Sequence, residues 1–533
     1  MSSASTFAFV CFLSLALGPA SAQCPWRPEP LVAAPGGPAL ELLGYPVALA
    51  GDDAAVGAPA DPTTPGGSVY LLRRNGSGWN VVAKVAPPVP SAGIGFGAAL
   101  AFQGDRLVVG APYENAKGFH TGAAYVFART GGGWTQVAHL VASNAFRRDY
   151  FGSAVALDGS TALIGAYGAT ELGVHYNGAA YVFEESSGAW TETQRLLPAP
   201  GGERGLFGRA VALQGSVAVV GAPFEDQPAQ DCGAAYVFTR SGSTWSLATK
   251  LLPLAPELNA AFGAAVAVTQ SRVFVGASRY DDGKHHFGLG AVELFRDVGG
   301  TWSFETELRP SDNALGDYFG FALAARGDTL LVGAHGNPSG GFESGAAYEF
   351  EFANGAWHER QKLVASDAAA GARFGFSVAL GMDAAVLGAP LASNGSAAAG
   401  VAYPFERAAS VVEYGASCAG TSGSAPTLHA LGCPTAGSTM VLRVSGGTPG
   451  AVVRVLVGRT RTDVTLPGGC SQVVGSVMHT YTLPPIDPQG ASMGSLALPA
   501  GAHGVVLTLQ ALVGDPQQSW RLATSNGVEF AVP

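Results

Sequence analysis

The chain has 533 residues, of which 47% are hydrophobic and 13% charged, with 75 glycines and a formal net charge of -10 at pH 7. So many glycines among apolar residues favour short strands joined by tight turns over helices or disorder. The acidic balance and the lack of any basic cluster argue against a nucleic-acid partner, which would require a basic face.

Residues 1–22 are predicted to form a secretory signal peptide. The apolar run TFAFVCFLSLAL is followed by Ser21 and Ala22, which form a small-residue cleavage site. The run is too short to span a bilayer, and no later stretch of about 20 apolar residues exists. We therefore expect a secreted or cell-surface protein with no transmembrane segment.

A repeat then occupies most of the chain. In each copy a glycine follows a tryptophan after 18 residues, and a Gly-Ala pair follows that glycine after 13 more. The glycine is preceded by phenylalanine in every copy except the first. Self-similarity at fixed spacing predicts one structural unit per copy. The tryptophans are Trp26, Trp79, Trp134, Trp190, Trp245, Trp302 and Trp357.

Each copy is read as four strands, which in the second copy span residues 98–102, 107–111, 123–128 and 134–141. Val, Leu, Tyr and Phe enrichment supports the strands, and glycine-bearing junctions support hairpins between them. Four antiparallel strands repeated about a centre form a propeller. The sequence therefore predicts an all-β fold with a seven-bladed β-propeller over residues 23–410.

The termini predict how this ring closes. The seventh copy ends at Phe405 with no tryptophan strand after it, whereas Trp26 stands in register with the other tryptophans. We expect the N-terminal segment to form the outermost strand of the last blade, which leaves no open edge. Pro25, Pro28 and Pro30 in that strand, and Pro404 opposite, remove hydrogen-bond donors from the pairing.

The motif Phe-Gly followed by Gly-Ala-Pro occurs at Phe96-Gly97 with Gly110-Ala111-Pro112, and at Phe207-Gly208 with Gly221-Ala222-Pro223. It resembles the FG-GAP repeat of integrin α-subunit propellers and related secreted bacterial proteins. The resemblance covers about residues 24–410. It implies a seven-bladed propeller used for extracellular recognition and cell adhesion, and it identifies no ligand.

Members of that family often bind calcium in the loop between the first two strands of a blade, where oxygen ligands surround the ion. Here those loops are tight turns with one or two carboxylates, such as Asp52-Asp53, Gly104-Asp105 and Asp158-Gly159. So few ligands in so short a turn cannot enclose calcium. We predict no metal and no cofactor.

Residues 411–533 follow a Gly/Ser-rich junction and contain short apolar runs between glycine and proline turns, which predict a small β-sandwich. Asn526-Gly527 is a hairpin signal within it. This module would serve either in surface attachment or as a stabilising appendage. After signal removal five cysteines remain, an odd number, and Cys418 with Cys470 is the candidate disulfide.

Strand alternation assigns the loops to two faces. The hairpins share one face, here called the hairpin face, whereas the loops after Gly-Ala and the links between blades share the other, here called the loop face. The loop-face segments vary between copies, and variable loops on a rigid scaffold commonly carry binding sites. The candidate ligand-binding residues are Tyr113, Glu114, Phe119, His120, Arg147, Arg148, His175, Tyr176, Phe224, Glu225, Asp226, Tyr280, Asp281, Asp282, His285 and His286.

The longest of these segments lies in the fifth copy and places two carboxylates and two imidazoles within six residues, from Asp281 to His286. Such groups suit a metal or acid-base chemistry, but their spacing specifies neither, and a solvated loop is the favoured interpretation. We predict a non-catalytic binding or adhesion protein for an extracellular protein or polysaccharide. A secreted hydrolase with a site over the channel and a structural envelope component are the alternatives.

Overall fold

The computed structural model describes residues 25–33, 41–75, 78–131, 133–170, 176–199, 204–226, 228–279, 288–393 and 399–407, residue 485 and the C-terminal strands given below. The signal-peptide segment, Cys418 and Cys470 lie outside the described residues. The described residues fall into two compact units, a larger one of Pro25–Glu351 with Trp357–Glu406 and a smaller one formed mainly by the strands that follow Arg407. Among the described residues no helix has the length and apolarity needed to cross a membrane.

The larger unit contains seven four-stranded antiparallel sheets, one for each copy of the repeat, and the predicted all-β fold is confirmed. We number these blades in chain order. Blades 1 to 3 consist of β2 (Val47–Ala50), β3 (Asp53–Ala58), β4 (Ser68–Asn75), β5 (Gly78–Val85); β6 (Ala99–Gln103), β7 (Arg106–Ala111), β8 (Ala123–Thr130), β9 (Gly133–Leu140); and β10 (Ala154–Asp158), β11 (Thr161–Ala166), β12 (Ala179–Ser186), β13 (Ala189–Leu196). Blades 4 to 6 consist of β14 (Ala210–Gln214), β15 (Val217–Ala222), β16 (Ala234–Ser241), β17 (Thr244–Leu251); β18 (Phe262–Val268), β19 (Arg272–Ala277), β20 (Ala291–Val298), β21 (Thr301–Leu308); and β22 (Ala322–Arg326), β23 (Thr329–Ala334), β24 (Ala346–Ala353), β25 (Ala356–Leu363). Blade 7 consists of β26 (Ser377–Leu380), β27 (Ala384–Ala389), β28 (Val401–Arg407) and, from the start of the chain, β1 (Trp26–Pro28).

The first strands of successive blades contact one another around a ring. β2 contacts β6, the series continues through β22 and β26, and β26 contacts β2. Each blade therefore stands beside two others, and the first strands surround a central channel.

The closing strand pairs with β28 in spite of its prolines. The Glu29 N–H donates to the carbonyl oxygen of Pro404 at 3.0 Å. Val32 and Ala402 exchange two backbone hydrogen bonds of 2.8 and 3.0 Å. Proline lacks a donor but keeps its acceptor, so this pairing uses Pro404 only through its carbonyl group.

Among the described residues of the larger unit, the core consists of seven clusters of apolar side chains, each shared by two neighbouring blades. Phe151, for example, is fully buried between blade 2, which contributes Val126, and blade 3, which contributes Tyr181. Leu43 occupies the equivalent place between blades 7 and 1. Burying each such side chain contributes about 1.5–3 kcal/mol, so the phenylalanine of the motif holds adjacent blades together.

Glycine in the motif permits the close approach of backbones that this packing requires. Gly152 has a φ of +88°, and a Cβ added to it would lie 2.2 Å from the carbonyl oxygen of Ala123. A Cβ on Gly110 would lie 2.0 Å from the carbonyl oxygen of Gly152. Any side chain at either position would therefore separate the blades.

A tyrosine on the third strand of six blades contacts the adjacent motif residue and donates its hydroxyl hydrogen to a side chain near the loop face. Tyr181 packs edge-on against Phe151 with ring centroids 5.4 Å apart and donates to Asn144 at 2.9 Å. In blade 5 this position is Glu293, which accepts the Leu254 N–H instead. The other tyrosines and their acceptors are Tyr70 with Glu41, Tyr125 with Glu114, Tyr236 with Glu225, Tyr348 with Asp312 and Tyr403 with Asp367.

At the hairpin face the tight turns are linked from blade to blade. Gln103 and Arg106 pair across a two-residue turn, and Gln103 Oε1 accepts the Gly159 N–H of blade 3 at 2.6 Å. Asp158 in turn accepts the Gly215 N–H of blade 4 at 2.6 Å. The carboxylates of these turns thus serve hydrogen bonds between blades, while the absence of a calcium requirement stays a prediction.

The second unit is also built from strands. A five-stranded sheet has the order β29-β38-β37-β32-β35, a three-stranded sheet has the order β30-β31-β36, and β33 pairs with β34. The strands are β29 (Val412–Tyr414), β30 (Thr427–Leu431), β31 (Thr439–Ser445), β32 (Val453–Gly458), β33 (Arg461–Thr465), β34 (Ser471–Val474), β35 (Val477–Leu483), β36 (Ala491–Ala497), β37 (Val505–Gly514) and β38 (Leu522–Val532).

The predicted hairpin at Asn526-Gly527 is wrong. Both residues lie inside β38, where Gly527 pairs with Gln510 and Thr524 pairs with Leu512. Two residues of β38 therefore stand opposite Ala511 alone, which is the arrangement of a β-bulge. The dipeptide adjusts the register of a long strand and does not reverse the chain.

Candidate functional site

Two segments of the loop face run side by side above blades 2 and 3. They are residues 112–122, which join β7 to β8, and residues 141–153, which join β9 to β10. The Arg148 N–H donates to the Phe119 carbonyl at 2.9 Å, and the Tyr150 N–H donates to the His120 carbonyl at 3.2 Å. These backbone bonds fix the side chains of both segments relative to one another.

Aromatic rings accumulate where the segments meet. The rings of Phe119 and His120 are stacked with centroids 3.9 Å apart, and the ring of Tyr113 lies 5.6 Å from His120. Tyr150 lies 5.8 Å from Tyr113. Tyr113 and Phe119 are 42% and 49% exposed, so these rings present apolar surface to solvent.

The aromatic surface continues around the channel. Tyr150 stacks on Tyr167 of blade 3 at 5.1 Å, and in the other direction Tyr45 lies 5.1 Å from Phe376. We name this surface the aromatic belt. In ring order from blade 6 to blade 3 the belt consists of Phe321, His335, Phe376, Tyr45, Tyr113 with the adjoining rings of His120 and Phe119, Tyr150 and Tyr167.

The repeat itself positions most of the belt. Tyr45, Phe321 and Phe376 directly follow the motif glycine, Tyr150 directly precedes its phenylalanine, and Tyr167 directly follows Gly-Ala. These positions lie at the loop-face ends of the first and second strands of a blade. Because the first strands surround the channel, the belt lies around its mouth.

Glycines in neighbouring segments seat two of the tyrosine rings. A Cβ on Gly95 would lie 2.8 Å from the ring of Tyr113. A Cβ on Gly168 would lie 2.7 Å from the ring of Tyr150 and 2.0 Å from the Arg148 carbonyl oxygen. Both rings are thereby held before any ligand arrives, which lowers the entropy lost on binding.

The phenols of Tyr113 and Tyr167 stay protonated at neutral pH. Burial raises the pKa of Tyr167 to about 12, and the neighbouring phenol of Tyr113 adds to the effect. Burial likewise raises the pKa of Tyr113. Each hydroxyl can therefore donate a hydrogen bond beside an apolar ring face.

His335 lies deepest in the belt and is only 8% exposed. Phe321 lies 4.3 Å from it and Tyr318 stacks on it at 5.1 Å. Burial lowers the pKa of His335 to about 4, and the charge of Arg373 lowers it further. Its Nδ1 atom is buried and has no hydrogen-bond partner among the described residues.

Two guanidinium groups accompany the rings. Arg148 lies 5.7 Å from the ring centre of Phe119, and Arg209 lies 6.0 Å from that of Tyr167. In the described part of the chain neither forms an ion pair with a carboxylate. Two arginines of the hairpin face, Arg74 and Arg272, are by contrast each paired with carboxylates.

The structure separates the predicted site residues into groups. Tyr113, Phe119, His120 and Arg148 come together at the belt. Glu114 accepts hydrogen bonds from Tyr125 and His139, and Glu225 from Tyr236 and Lys250, so both carboxylates stabilise their blades.

The remaining predicted residues lie elsewhere. Phe224 packs beneath Arg279 at 5.8 Å, and Asp226 accepts the Asp231 N–H at 3.0 Å. Arg147 and Tyr176 are exposed near the belt. Outside the described residues are His175, Tyr280, Asp281, Asp282, His285 and His286.

Sequence reasoning missed Tyr45, Tyr150, Tyr167, Phe321 and Phe376 because they adjoin the repeated residues. A signal was present nonetheless. The residue after the motif glycine is Tyr, Ala, Ser, Arg, Ala, Phe and Phe in the seven copies. A variable position beside a fixed one is as informative as a variable loop.

The FG-GAP repeat family model matches five segments, residues 79–127, 134–183, 190–238, 302–350 and 357–405. Each segment begins at the outer tryptophan strand of one blade and ends on the third strand of the next, so the sequence repeat is offset from the blade by one strand. No match covers the copies that begin at Trp26 and Trp245. No curated protein matches the chain.

Several solved structures are distantly similar. An exo-β-1,3-galactanase from Phanerochaete chrysosporium with β-1,3-galactotriose is 11% identical, with 80% of this chain and 100% of that chain covered and a TM-score of 0.29. The acylaminoacyl peptidase of Pyrococcus horikoshii is 8% identical, with 76% and 57% covered and a TM-score of 0.35. A tetra-tandem repeat from the extending region of a large adhesion protein is 11% identical, with 82% and 98% covered and a TM-score of 0.14. At these TM-scores the structural similarities support no conclusion about function.

Proposed function

This chain is an FG-GAP repeat protein, and we propose that it is a non-catalytic protein that binds an extracellular partner through the loop face, with the aromatic belt as the contact surface. The observation that carries the proposal is the run of aromatic rings around the channel mouth, with Tyr113 and Phe119 among the most exposed. Aromatic and arginine side chains dominate the binding energy of many interfaces.

The rigidity of the belt supports this role. Backbone hydrogen bonds join its segments, and glycines seat Tyr113 and Tyr150. A surface already held in its binding conformation loses little entropy on association. The nearby carboxylates of Glu114 and Glu225 are engaged with tyrosines, which favours a binding role over acid-base chemistry.

The proposal is tested by the retention of the full chain on immobilised extracellular matrix proteins and polysaccharides. The triple variant Tyr113→Ala, Phe119→Ala and His120→Ala should weaken retention at least tenfold without lowering the thermal midpoint. Phe304→Ala is the matched control, because Phe304 is 38% exposed on β21 and lies away from the loop face. Failure to retain any panel member, or equal retention of wild type and triple variant, would overturn the proposal.

A further inference from the structure

The loop face combines three features at one place: a series of half-buried aromatic rings, phenol groups able to form hydrogen bonds, and two guanidinium groups that form no ion pair with a carboxylate of the described residues. From this combination we infer that the belt binds an acidic polysaccharide, a polymer of sugar rings that carry carboxylates. This inference rests on the proposed binding function and specifies the class of its partner.

The rings suit sugars because each sugar ring has a face of C–H groups and a rim of hydroxyls. A tyrosine offers an apolar face and a hydroxyl in the same side chain. Tyr113 is exposed on one side of the stack formed by Tyr150 and Tyr167.

The spacing of the rings suits a polymer better than a single sugar. Ring contacts join blade 6 through blade 7 to Tyr45 of blade 1, and a second series runs from Tyr113 of blade 2 to Tyr167 of blade 3, beyond which Arg209 extends the belt to blade 4. At blade 5 the corresponding positions are the small residues Ala264 and Ser278. The aromatic surface is therefore an arc with two ends, along which successive sugar rings can lie.

The charge of the ligand follows from the local electrostatics. Arg209 lies 6.0 Å from the ring centre of Tyr167, and its positive charge partly offsets the rise that burial causes in the pKa of Tyr167 and Tyr113. Guanidinium groups bind carboxylates in a bidentate geometry. In a protein of net charge -10, this local positive charge favours an anionic ligand at the belt over other parts of the surface.

A peptide partner is less well matched to the site. Peptides commonly bind by adding a strand to an open sheet edge. The strands next to the belt are the first strands of the blades, which face each other around the channel. The outer strands, where an edge is available, lie on the far side of each blade from the belt.

The test uses the full chain with polygalacturonate as probe, neutral dextran as its uncharged control, and isothermal titration at about 20 and 300 mM NaCl. We expect binding to polygalacturonate, at least tenfold weaker binding at high salt because screening shortens the range of charge interactions, and little binding to dextran. Tyr113→Ala and Arg209→Gln should each weaken binding about tenfold. Arg326→Gln, an exposed arginine in a turn of the hairpin face, should leave it unchanged.

Several results would overturn the inference. These are no binding to polygalacturonate, equal binding to dextran, equal binding to a single-stranded oligonucleotide of similar charge, or an Arg209→Gln variant that binds as wild type does. If polygalacturonate fails while another panel member is retained through the belt, the proposed binding function stands and only the ligand class is wrong. If nothing is retained, both fail.

Discussion

Gln361 of blade 6 binds Trp26, the first residue of the closing strand, through both the oxygen and the nitrogen of its side-chain amide. The Trp26 N–H donates to Gln361 Oε1 at 2.6 Å, and Gln361 Nε2 donates to the Trp26 carbonyl at 2.9 Å. Gln194 and Trp245 form the same pair between blades 3 and 4. The N-terminal strand is therefore held by the same device that joins two blades within the chain.

Because the same pair of hydrogen bonds is formed at both junctions, we predict similar losses in the free energy of unfolding when either pair is removed. Gln361→Ala and Gln194→Ala should each lower the free energy of unfolding by about 1–2 kcal/mol, because each removes two hydrogen bonds. Trp26→Ala should cost about 3–5 kcal/mol, since its side chain is buried. Chemical denaturation measures these values. An unaffected stability in Trp26→Ala, with Gln194→Ala destabilised, would show that the closing strand contributes nothing.

The buried carboxyl group of Glu293 predicts that stability falls as the pH rises from acidic to neutral values. Burial raises its pKa to about 7 from the ordinary 4.5, so the folded state holds the proton more tightly than the unfolded state. The resulting stability is fully present below pH 4.5 and is lost as pH rises through 7. Glu293→Gln should remove this loss, which is on the order of 2–3 kcal/mol. Denaturation of both proteins between pH 5 and 8 tests it, and parallel curves would contradict it.

His335 predicts the opposite dependence. Its pKa is lowered from 6.5 to about 4, chiefly by burial, so the unfolded state binds the proton more tightly. Stability from the neutral imidazole is present above pH 6.5 and is lost as pH falls through 4. His335→Phe should lose less stability than wild type between pH 7 and 4, with the difference on the order of 2–3 kcal/mol. Equal losses in the two proteins would show that His335 does not titrate in this range.

The residue before the motif has a left-handed backbone in every copy, and only the second copy has glycine there, Gly95. Ala261 holds this position in blade 5 with φ of 55°. Because left-handed backbone costs about 1–2 kcal/mol for other residues, Ala261→Gly should raise the thermal midpoint. Ala264→Gly, at a position without positive φ, should lower it by the usual cost of glycine. A lower thermal midpoint in both variants would show that the backbone at Ala261 is not strained.

Sequence spacing alone determined the ring. Fixed distances from tryptophan to Phe-Gly and to Gly-Ala specify where each strand ends, and the extra tryptophan at the N-terminus supplies the fourth strand of the last blade. These are local requirements repeated seven times, so they can be counted along the chain. Asn526-Gly527 is the counter-example, because its partner strand, and not the dipeptide, decides between a turn and a bulge.

The site could be predicted only in part. Loop variation identified Tyr113, Phe119, His120 and Arg148, which do lie together. It also selected Glu114 and Glu225, whose carboxylates accept hydrogen bonds from tyrosines of their own blades.

Only the tertiary structure unites Tyr45 with Phe376, or Tyr113 with Tyr150 and Tyr167. Closing the ring brings the ends of strands from different blades together around one channel, although they are far apart in sequence. The repeat thus determines which positions lie at the mouth of the channel. The residues that occupy those positions in different blades become one surface only after closure.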